Sequence, residues 1–337
     1  MNTATLSIVI PAYNSPKWIT QCLAHLASAL SNAGIPESQV VVVDDGSTDS
    51  TGDEAESFTG LNLTVLRQSN LGRFKARENG LALCTGTHVL FLDTRVFLGE
   101  NSLKFVLPFL QHPETSLWTA DVQANTTGNP IARFWRAIEN IFWRRYMNNP
   151  TTTSFGLEDF DYYPKGTTAL IAPVELIKEA ISQFIPTVGD WRKVNDDTAL
   201  LRFAAERTRI NISPEYTCTY NARTNLRAFL KHANHRGSVL IDGYLRSGTR
   251  LNIPIWTVLI LAPFGLYVAF SNLLLALVAL AVIPLSIFVL VLSLGVRARD
   301  AIVLASLFWP FSVYYLLGMY WGLWLKFGRR NTPSEQL

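Results

Sequence analysis

The feature that most constrains this chain is a long stretch almost without charge. Between residues 253 and 327 there are only four charged side chains, Arg297, Arg299, Asp300 and Lys326. The run Leu273–Val296 has none. A helix needs about 20 apolar residues to cross a bilayer's hydrocarbon core of roughly 30 Å. That run therefore predicts a transmembrane helix. A second is predicted from Ala301 to Leu325, with Pro310 as a kink point. A third candidate, Ile253–Phe270, is shorter and carries Pro254 and Pro263, so it either spans or lies in the interface. Trp256, Tyr314, Tyr320, Trp321 and Trp324 fall near the edges of these segments, where amphipathic rings favour the headgroup level.

Composition agrees. Of 337 residues, 49% are hydrophobic and 16% charged, below the roughly 25% charged of soluble domains. This excludes a disordered chain and argues against a purely soluble one. Cys22, Cys84 and Cys218 are odd in number and form no CxxC, which excludes a disulfide scaffold or a zinc module. The formal net charge of +3 gives no argument for nucleic acid. The N-terminus has no basic segment followed by an apolar one, so the first domain is expected to stay cytosolic in a multi-pass inner or plasma membrane protein. Three full spans would put Lys326, Arg329 and Arg330 outside, against the positive-inside tendency. Two spans after an interfacial first segment would leave only Arg297 and Arg299 there.

Residues 1–220 read differently. Leu6–Pro11 is a short apolar run of the kind that forms a parallel strand buried on both faces, Val40–Val43 is a second such strand, and Leu63–Leu66 and Val89–Leu92 read as third and fourth strands. Helices are predicted from Pro16 to about Ala33 and over Asn70–Leu83. The alternation predicts an α/β fold with a mostly parallel sheet flanked by helices, followed by an all-helical transmembrane region. The organisation expected is a domain over 1–220, a basic juxtamembrane segment over 221–252, a membrane region over 253–327 and a polar tail over 328–337. Candidate binding residues gather at the strand ends, where open α/β sheets bind ligands: Pro11, Ala12, Tyr13 and Asn14 after the first, Asp44 and Asp45 after the second, Asp93 after the fourth.

Four segments carry a family resemblance: VIPAYN (Val9 to Asn14), VVDDGSTD (Val42 to Asp49), NLGRFKAR (Asn70 to Arg77) and FLD (Phe91 to Asp93). In this order and spacing the chain resembles the family-2 inverting glycosyltransferases of GT-A fold, over about the first 205 residues. With the C-terminal membrane region it looks like members that build bacterial exopolysaccharides or lipid-linked glycans. The resemblance implies a nucleotide-diphosphate sugar as donor and a lipid-linked or membrane-proximal acceptor, with membrane lipids as neighbours. It places Asp45, with Asp44 beside it, near the nucleotide. The plainer reading of Asp44, Gly46 and Ser47 is a turn and helix cap.

Three tasks then need residues: holding the nucleotide, stabilising the leaving diphosphate and deprotonating the acceptor. Arg73 and Arg77 lie one helical turn apart and either approach the diphosphate or form a solvated face. The family's Asp-x-Asp metal motif reads Asp93-Thr94-Arg95 here. Asp93 alone could bind Mg²⁺ or Mn²⁺, or Arg95 could supply positive charge directly, or the site could be inactive and the protein a nucleotide-sugar-binding scaffold. The resemblance maps the base to Asp197, with Asp196 as neighbour; the alternative is a helix cap by Asn195 or Asp196. Asp121 is a further acid on the acceptor side or a solvated strand end. Gly166, Thr167 and Thr168 resemble the segment that shapes the acceptor side.

Pro130–Tyr146 is a basic amphipathic stretch, either a membrane-surface helix or a core helix of the first domain. Six Lys/Arg and one acid lie between Arg223 and Arg250, an excess suited to anionic lipid. His232 and His235 have no third ligand near them in sequence, which argues against a metal pair. No QxxRW pattern follows Asp197, so transfer of one sugar per encounter is expected.

Overall fold

A computed structural model describes residues 4–185, 191, 196–245 and 251–327. The chain divides into two compact units, 1–125 with 145–221 and 126–144 with 222–337. Residues 126–144 thus leave the first domain and join the helical unit.

The first unit contains β1 (Leu6–Ala12), α1 (Pro16–Asn32), β2 (Gln39–Asp45), α2 (Thr51–Glu56), β3 (Asn62–Gln68), α3 (Arg73–Ala82), β4 (His88–Leu92), β5 (Val96–Leu98), α4 (Ser102–Val106), β6 (Trp118–Thr119) and β7 (Asp121–Ala124). Two further helices border or enter the other unit, α5 (Pro130–Phe142) and α6 (Arg144–Met147). The first unit then resumes with β8 (Thr153–Phe155), β9 (Ala169–Pro173), α7 (Val174–Ser182), α8 (Asp196–Ala205), β10 (Ile210–Ile212) and β11 (Thr217–Tyr220).

Eight strands form one sheet in the order β3-β2-β1-β4-β9-β6-β10-β8. The four expected strands are its parallel half: β1 pairs with β2 and β4, and β2 with β3, all parallel. The antiparallel strand β9 joins that half to the rest. A small second sheet runs β5-β11-β7.

The apolar runs of β1, β2 and β4 are continuous because both faces are covered, whereas the edge strand β3 is partly exposed. Successive strand residues point to opposite faces. Ile8, Ile10, Val40, Val42, Leu90 and Leu92 pack with Ile19, Leu23, Leu26 and Leu30 of α1. Val9, Val41, Val43, Val89 and Phe91 pack with Ala76 and Leu81 of α3 and Ile177 of α7. The order reverses at β1, whose neighbours are β2 and β4, and that reversal opens a crevice at the carboxyl ends of the three strands.

The second unit holds α5 and four long helices, α9 (Leu226–Tyr244), α10 (Asn252–Ser271), α11 (Leu273–Ser293) and α12 (Ala298–Phe327). The helices α10, α11 and α12 are each long and apolar enough to cross a membrane. The shorter candidate is thus a full 20-residue helix with Pro263 inside it, and α12 continues through Pro310. The stretch read as amphipathic is α5, capped by Asn129, whose side chain accepts from Ala132 N at 3.1 Å.

Glycines set the approach of α9 to α12. A Cβ at Gly237 would crowd the Tyr315 carbonyl, and one at Gly318 would crowd that of Asn234. Overpacking of such a contact costs about 1–3 kcal/mol. Gly318→Val is therefore expected to lower the thermal midpoint of the detergent-purified protein. Gly265→Ala, at a position with nothing within 4 Å, is expected to leave it within a degree or two. Equal midpoints for the two variants would contradict the close helix contact.

Candidate functional site

The crevice at the ends of β1, β2 and β4 collects most of the site residues read from sequence. Asp44 and Asp45 are still paired with β3, opposite Arg67 and Gln68, and both are buried. Asp44 Oδ1 accepts from Ser47 N at 3.0 Å, the turn geometry of the plainer reading. Asp45 does more. Its Oδ1 accepts from Leu71 N at 2.8 Å and Gln68 Nε2 at 2.7 Å, and its Oδ2 accepts from Gly72 N at 2.9 Å. Asp45 thereby ties down the loop leading into α3. This role was missed from sequence, although Leu71 and Gly72 lie in one of the four family-like segments. Gly46, at φ +71°, and Gly72, at φ +92°, occupy the left-handed region that favours glycine.

At the end of β1, Ala12 is buried and pairs with Asp44, and Pro11 pairs with Val43. Tyr13 is half exposed at the rim. Asn14 adopts φ +45°, a conformation uncommon for a side-chain-bearing residue. Its backbone N–H donates to Ser47 Oγ at 3.0 Å, and its Oδ1 accepts from Thr48 N at 2.9 Å.

The charged centre lies where α3, β4 and α8 converge. Arg77 is 2% exposed, and its Nη2 donates to Asp93 Oδ1 at 2.9 Å while its Nη1 donates to Asp197 Oδ1 at 3.1 Å. Thr167 Oγ1 donates to the same Asp197 oxygen. Arg73, 49% exposed, stands 3.9 Å from Asp93 Oδ2 and 4.0 Å from Asp197 Oδ2. The two arginines therefore face the two acids, in the geometry expected of residues one helical turn apart. The Asp93 backbone is held from both sides: its N–H donates to Thr168 O at 3.0 Å, and its carbonyl accepts from the Cys22 thiol at 3.7 Å. Burial pushes that thiol's pKa up, with Asp93's charge adding to the shift, so it stays protonated.

Arg95 follows two residues after Asp93. Its guanidinium sits 4.8 Å over the Trp18 ring, and Nη1 donates to Asn221 O at 3.4 Å. Asp121 is buried rather than solvated, and its Oδ2 accepts from Gln123 Nε2 at 2.6 Å. Asp196 opens α8, but its side chain and Asn195 lie outside the described residues, as do Arg246, Arg250, Arg329 and Arg330.

The described residues do not make a divalent-cation site by themselves. Among the described residues no group of three His, Cys, Asp or Glu is placed to hold a metal ion. Asp93 has a guanidinium against each of its oxygens, and position 95 is a cation that cannot ligate a metal. No step is therefore assigned to a metal.

Beside Thr167 lies a second charged group. Lys165 Nζ donates to Tyr163 O at 3.0 Å and stands 4.4 Å over Phe160, whose ring also takes Arg202 at 4.6 Å. Arg202 in turn pairs with Asp161 at 2.8 Å. Burial pulls the Lys165 pKa down to about 7; Asp161 partly opposes this and Arg202 reinforces it. The unfolded chain thus binds more protons than the folded one above that value and up to the ordinary lysine range. Stability should rise with pH there, by at most about 1.4 kcal/mol per pH unit from this group. Lys165→Met should flatten the rise and stabilise the protein most at pH 7 and below. Denaturant melts across that range check this, and an unchanged pH slope in the variant would refute it.

Comparison with known proteins gives a family match and a fold. Residues 7–163 match the family described as glycosyl transferase family 2. The poly(ribitol-phosphate) beta-N-acetylglucosaminyltransferase TarS of Staphylococcus aureus is 35% identical over 132 residues, 38% of this chain and 23% of that protein. The glycosyltransferase GlyG of Streptococcus pneumoniae is 27% identical over 116 residues, 33% of this chain and 37% of that protein. The match thus spans less than two-fifths of either relative. Among solved structures, TarS 1–349 in complex with UDP-GlcNAc aligns with a TM-score of 0.50 and 21% identity, over 94% of this chain and 89% of that one. The mannosyltransferase PcManGT of Pyrobaculum calidifontis, in complex with GDP-Man and Mn²⁺, aligns with a TM-score of 0.56 and 18% identity, over 96% and 88%. These structures share the GT-A-like fold.

Proposed function

We propose that this chain, whose residues 7–163 match glycosyl transferase family 2, is a membrane-anchored inverting glycosyltransferase. It moves one sugar from a nucleoside-diphosphate sugar to a lipid-linked or membrane-proximal acceptor, with the transferase domain in the cytosol. The observation that carries this reading is the cluster of Asp93, Asp197, Arg73 and Arg77 at the reversal point of the sheet. The relatives named TarS and GlyG, and the solved complexes with UDP-GlcNAc and GDP-Man, support a sugar nucleotide as donor.

The chemistry follows from the geometry. The acceptor hydroxyl oxygen attacks the anomeric carbon as the bond from that carbon to the phosphate oxygen breaks. The bonding electron pair leaves with the diphosphate, and the hydroxyl proton passes to Asp197. One in-line displacement inverts the centre. Asp197 Oδ1 is fixed by Arg77 and Thr167, so Oδ2, which faces Arg73, is the atom assigned to the proton. Arg77 is buried and serves to position both acids. Arg73, half exposed, is the guanidinium able to turn to the diphosphate, where bidentate hydrogen bonding suits it. Tyr13 offers an exposed ring at the strand end where the nucleotide base would lie.

Two outcomes test this reading. In an assay of nucleoside diphosphate release with a panel of sugar nucleotides and membrane lipid extract, Asp197→Asn should lower turnover by at least about 10²-fold, a general base's contribution, with donor affinity little changed. Full turnover in that variant would remove Asp197 from the mechanism. Arg73→Met should weaken nucleoside diphosphate binding by roughly 10- to 100-fold in calorimetry, the worth of hydrogen bonds to a charged group. Unchanged binding would place the diphosphate elsewhere.

A further inference from the structure

The acids of the crevice are committed to donors within the protein. Asp45 accepts from Gln68, Leu71 and Gly72. Asp197 Oδ1 accepts from Arg77 and Thr167, and its Oδ2 stands 4.0 Å from Arg73. Asp93 occupies the first acidic position of the family's metal motif. Its Oδ1 accepts from Arg77 Nη2 at 2.9 Å, and its Oδ2 stands 3.9 Å from Arg73 Nη1.

The two guanidinium groups differ in how far they can yield. Arg73 is half exposed. Arg77 is 2% exposed and lies 5.7 Å over the ring of the buried Phe91. It also donates to Asp197 Oδ1 at 3.1 Å and to Thr167 O at 3.4 Å. Moving it would uncover two carboxylates at once. When Arg73 turns away, Asp93 Oδ1 therefore keeps its cation and only Oδ2 opens. Mg²⁺ at a phosphate usually takes one or two carboxylates. Here a dication would have one oxygen of a shared carboxylate, beside a fixed guanidinium of like charge.

The second position of the motif removes the remaining ligand and replaces it with a cation. Arg95 is held by its backbone, whose carbonyl accepts from Asn221 N at 2.9 Å and Asn221 Nδ2 at 3.3 Å. Its guanidinium rests 4.8 Å over Trp18 and donates from Nη1 to Asn221 O at 3.4 Å. A guanidinium stays protonated and has no lone pair for a metal. The strand end Asp93-Thr94-Arg95 thus has a formal charge of zero, where Asp-x-Asp would have −2. An anionic strand end repels a diphosphate unless a dication stands between them. A neutral one flanked by a mobile arginine does not need that intermediary.

We infer that this chain binds and releases the donor's diphosphate on guanidinium groups with no divalent cation, and that Asp93 serves to hold Arg73 and Arg77 rather than a metal. The inference rests on the reading that the donor is a sugar nucleotide. In the transfer step the bond from the anomeric carbon to the phosphate oxygen breaks, and its electron pair stays on that oxygen. Arg73 meets the resulting charge, and the acceptor's proton passes to Asp197. Arginine suits this task because its fork matches phosphate oxygens two at a time.

The test measures binding of UDP, GDP, ADP, CDP and dTDP to the full chain in detergent by calorimetry, once in EDTA and once in Mn²⁺. The nucleotide that binds should do so at least as tightly in EDTA, since Mn²⁺ neutralises part of the free diphosphate's charge. Asp93→Asn removes an anion beside the diphosphate and should tighten binding several-fold in both buffers. Loss of free Mn²⁺ signal in electron paramagnetic resonance should be the same for nucleotide alone and for nucleotide with the protein. Wild-type binding weaker by about tenfold or more in EDTA would overturn the inference and leave the donor reading intact. A loss of affinity in Asp93→Asn confined to the Mn²⁺ buffer would return Asp93 to a metal and overturn it as well. Should that variant not fold, the wild-type comparison decides the question alone. Binding of none of the five nucleotides in either buffer would overturn the donor reading and the inference together.

Discussion

The site depends on one buried guanidinium. Arg77 reaches from α3 to the end of β4 and to the start of α8, joining acids 16 and 120 residues away in sequence. A buried charge is tolerated only when paired and hydrogen-bonded, and removing one partner of such a pair typically costs about 3–5 kcal/mol. Arg77 satisfies this with two carboxylates and the Thr167 carbonyl at 3.4 Å. Its reach depends on how tightly α3 lies on the sheet. Gly80, one turn farther along, has no room for a side chain, because a Cβ would stand 2.4 Å from Val9 Cγ1. The glycine lets the helix close on β1 and β2, and the closeness brings Arg77 to the strand ends.

Parts of this were legible in the sequence for a definite reason. Strands covered on both faces are apolar nearly throughout, so β1, β2 and β4 stood out as short runs, while the edge strand β3 is partly exposed. Their ends were less visible: β2 continues through Asp44 and Asp45 because those residues still pair with β3. Helix α3 begins at Arg73 rather than Asn70 because Asp45 takes the N–H groups of Leu71 and Gly72 and holds the loop outside the helix. The far half of the sheet was not legible. There β6 has two residues and β8 and β10 three each, too few to show a period. The partnership of Thr167 with Asp197 was likewise invisible, since it is made by the fold across 30 residues.

The helical unit shows a different limit. Hydropathy averages a helix around its circumference and reports nothing about its neighbours. By that measure α12 belongs with α10 and α11. Yet Gly318 and Gly322, four residues apart, give it a flat edge on which the polar helix α9 seats. A matching small residue, Gly237, stands on α9 against Tyr315. The signal lay in the glycine spacing, together with the buried Asp300 that answers Arg133, rather than in the apolar count.

Charge balance links the resting site to the proposed chemistry. Two guanidinium groups face two carboxylates, so the cluster's formal charges offset one another. A diphosphate entering that crevice adds negative charge, and the arrangement must give it a cation without leaving an acid stranded. The exposures divide this work. Arg77, buried, cannot leave Asp93 and Asp197 without uncovering both. Arg73 is half exposed and stands near 4 Å from each acid, a loose pairing that water screens. It therefore loses least by turning to a more highly charged partner. When it does, Asp197 keeps Arg77 and Thr167 on Oδ1, and the cation facing Oδ2 has moved to the leaving group. A carboxylate accepts a proton more readily when a neighbouring positive charge is withdrawn. In the proposed chemistry, donor binding and base activation would then be the same movement of one side chain.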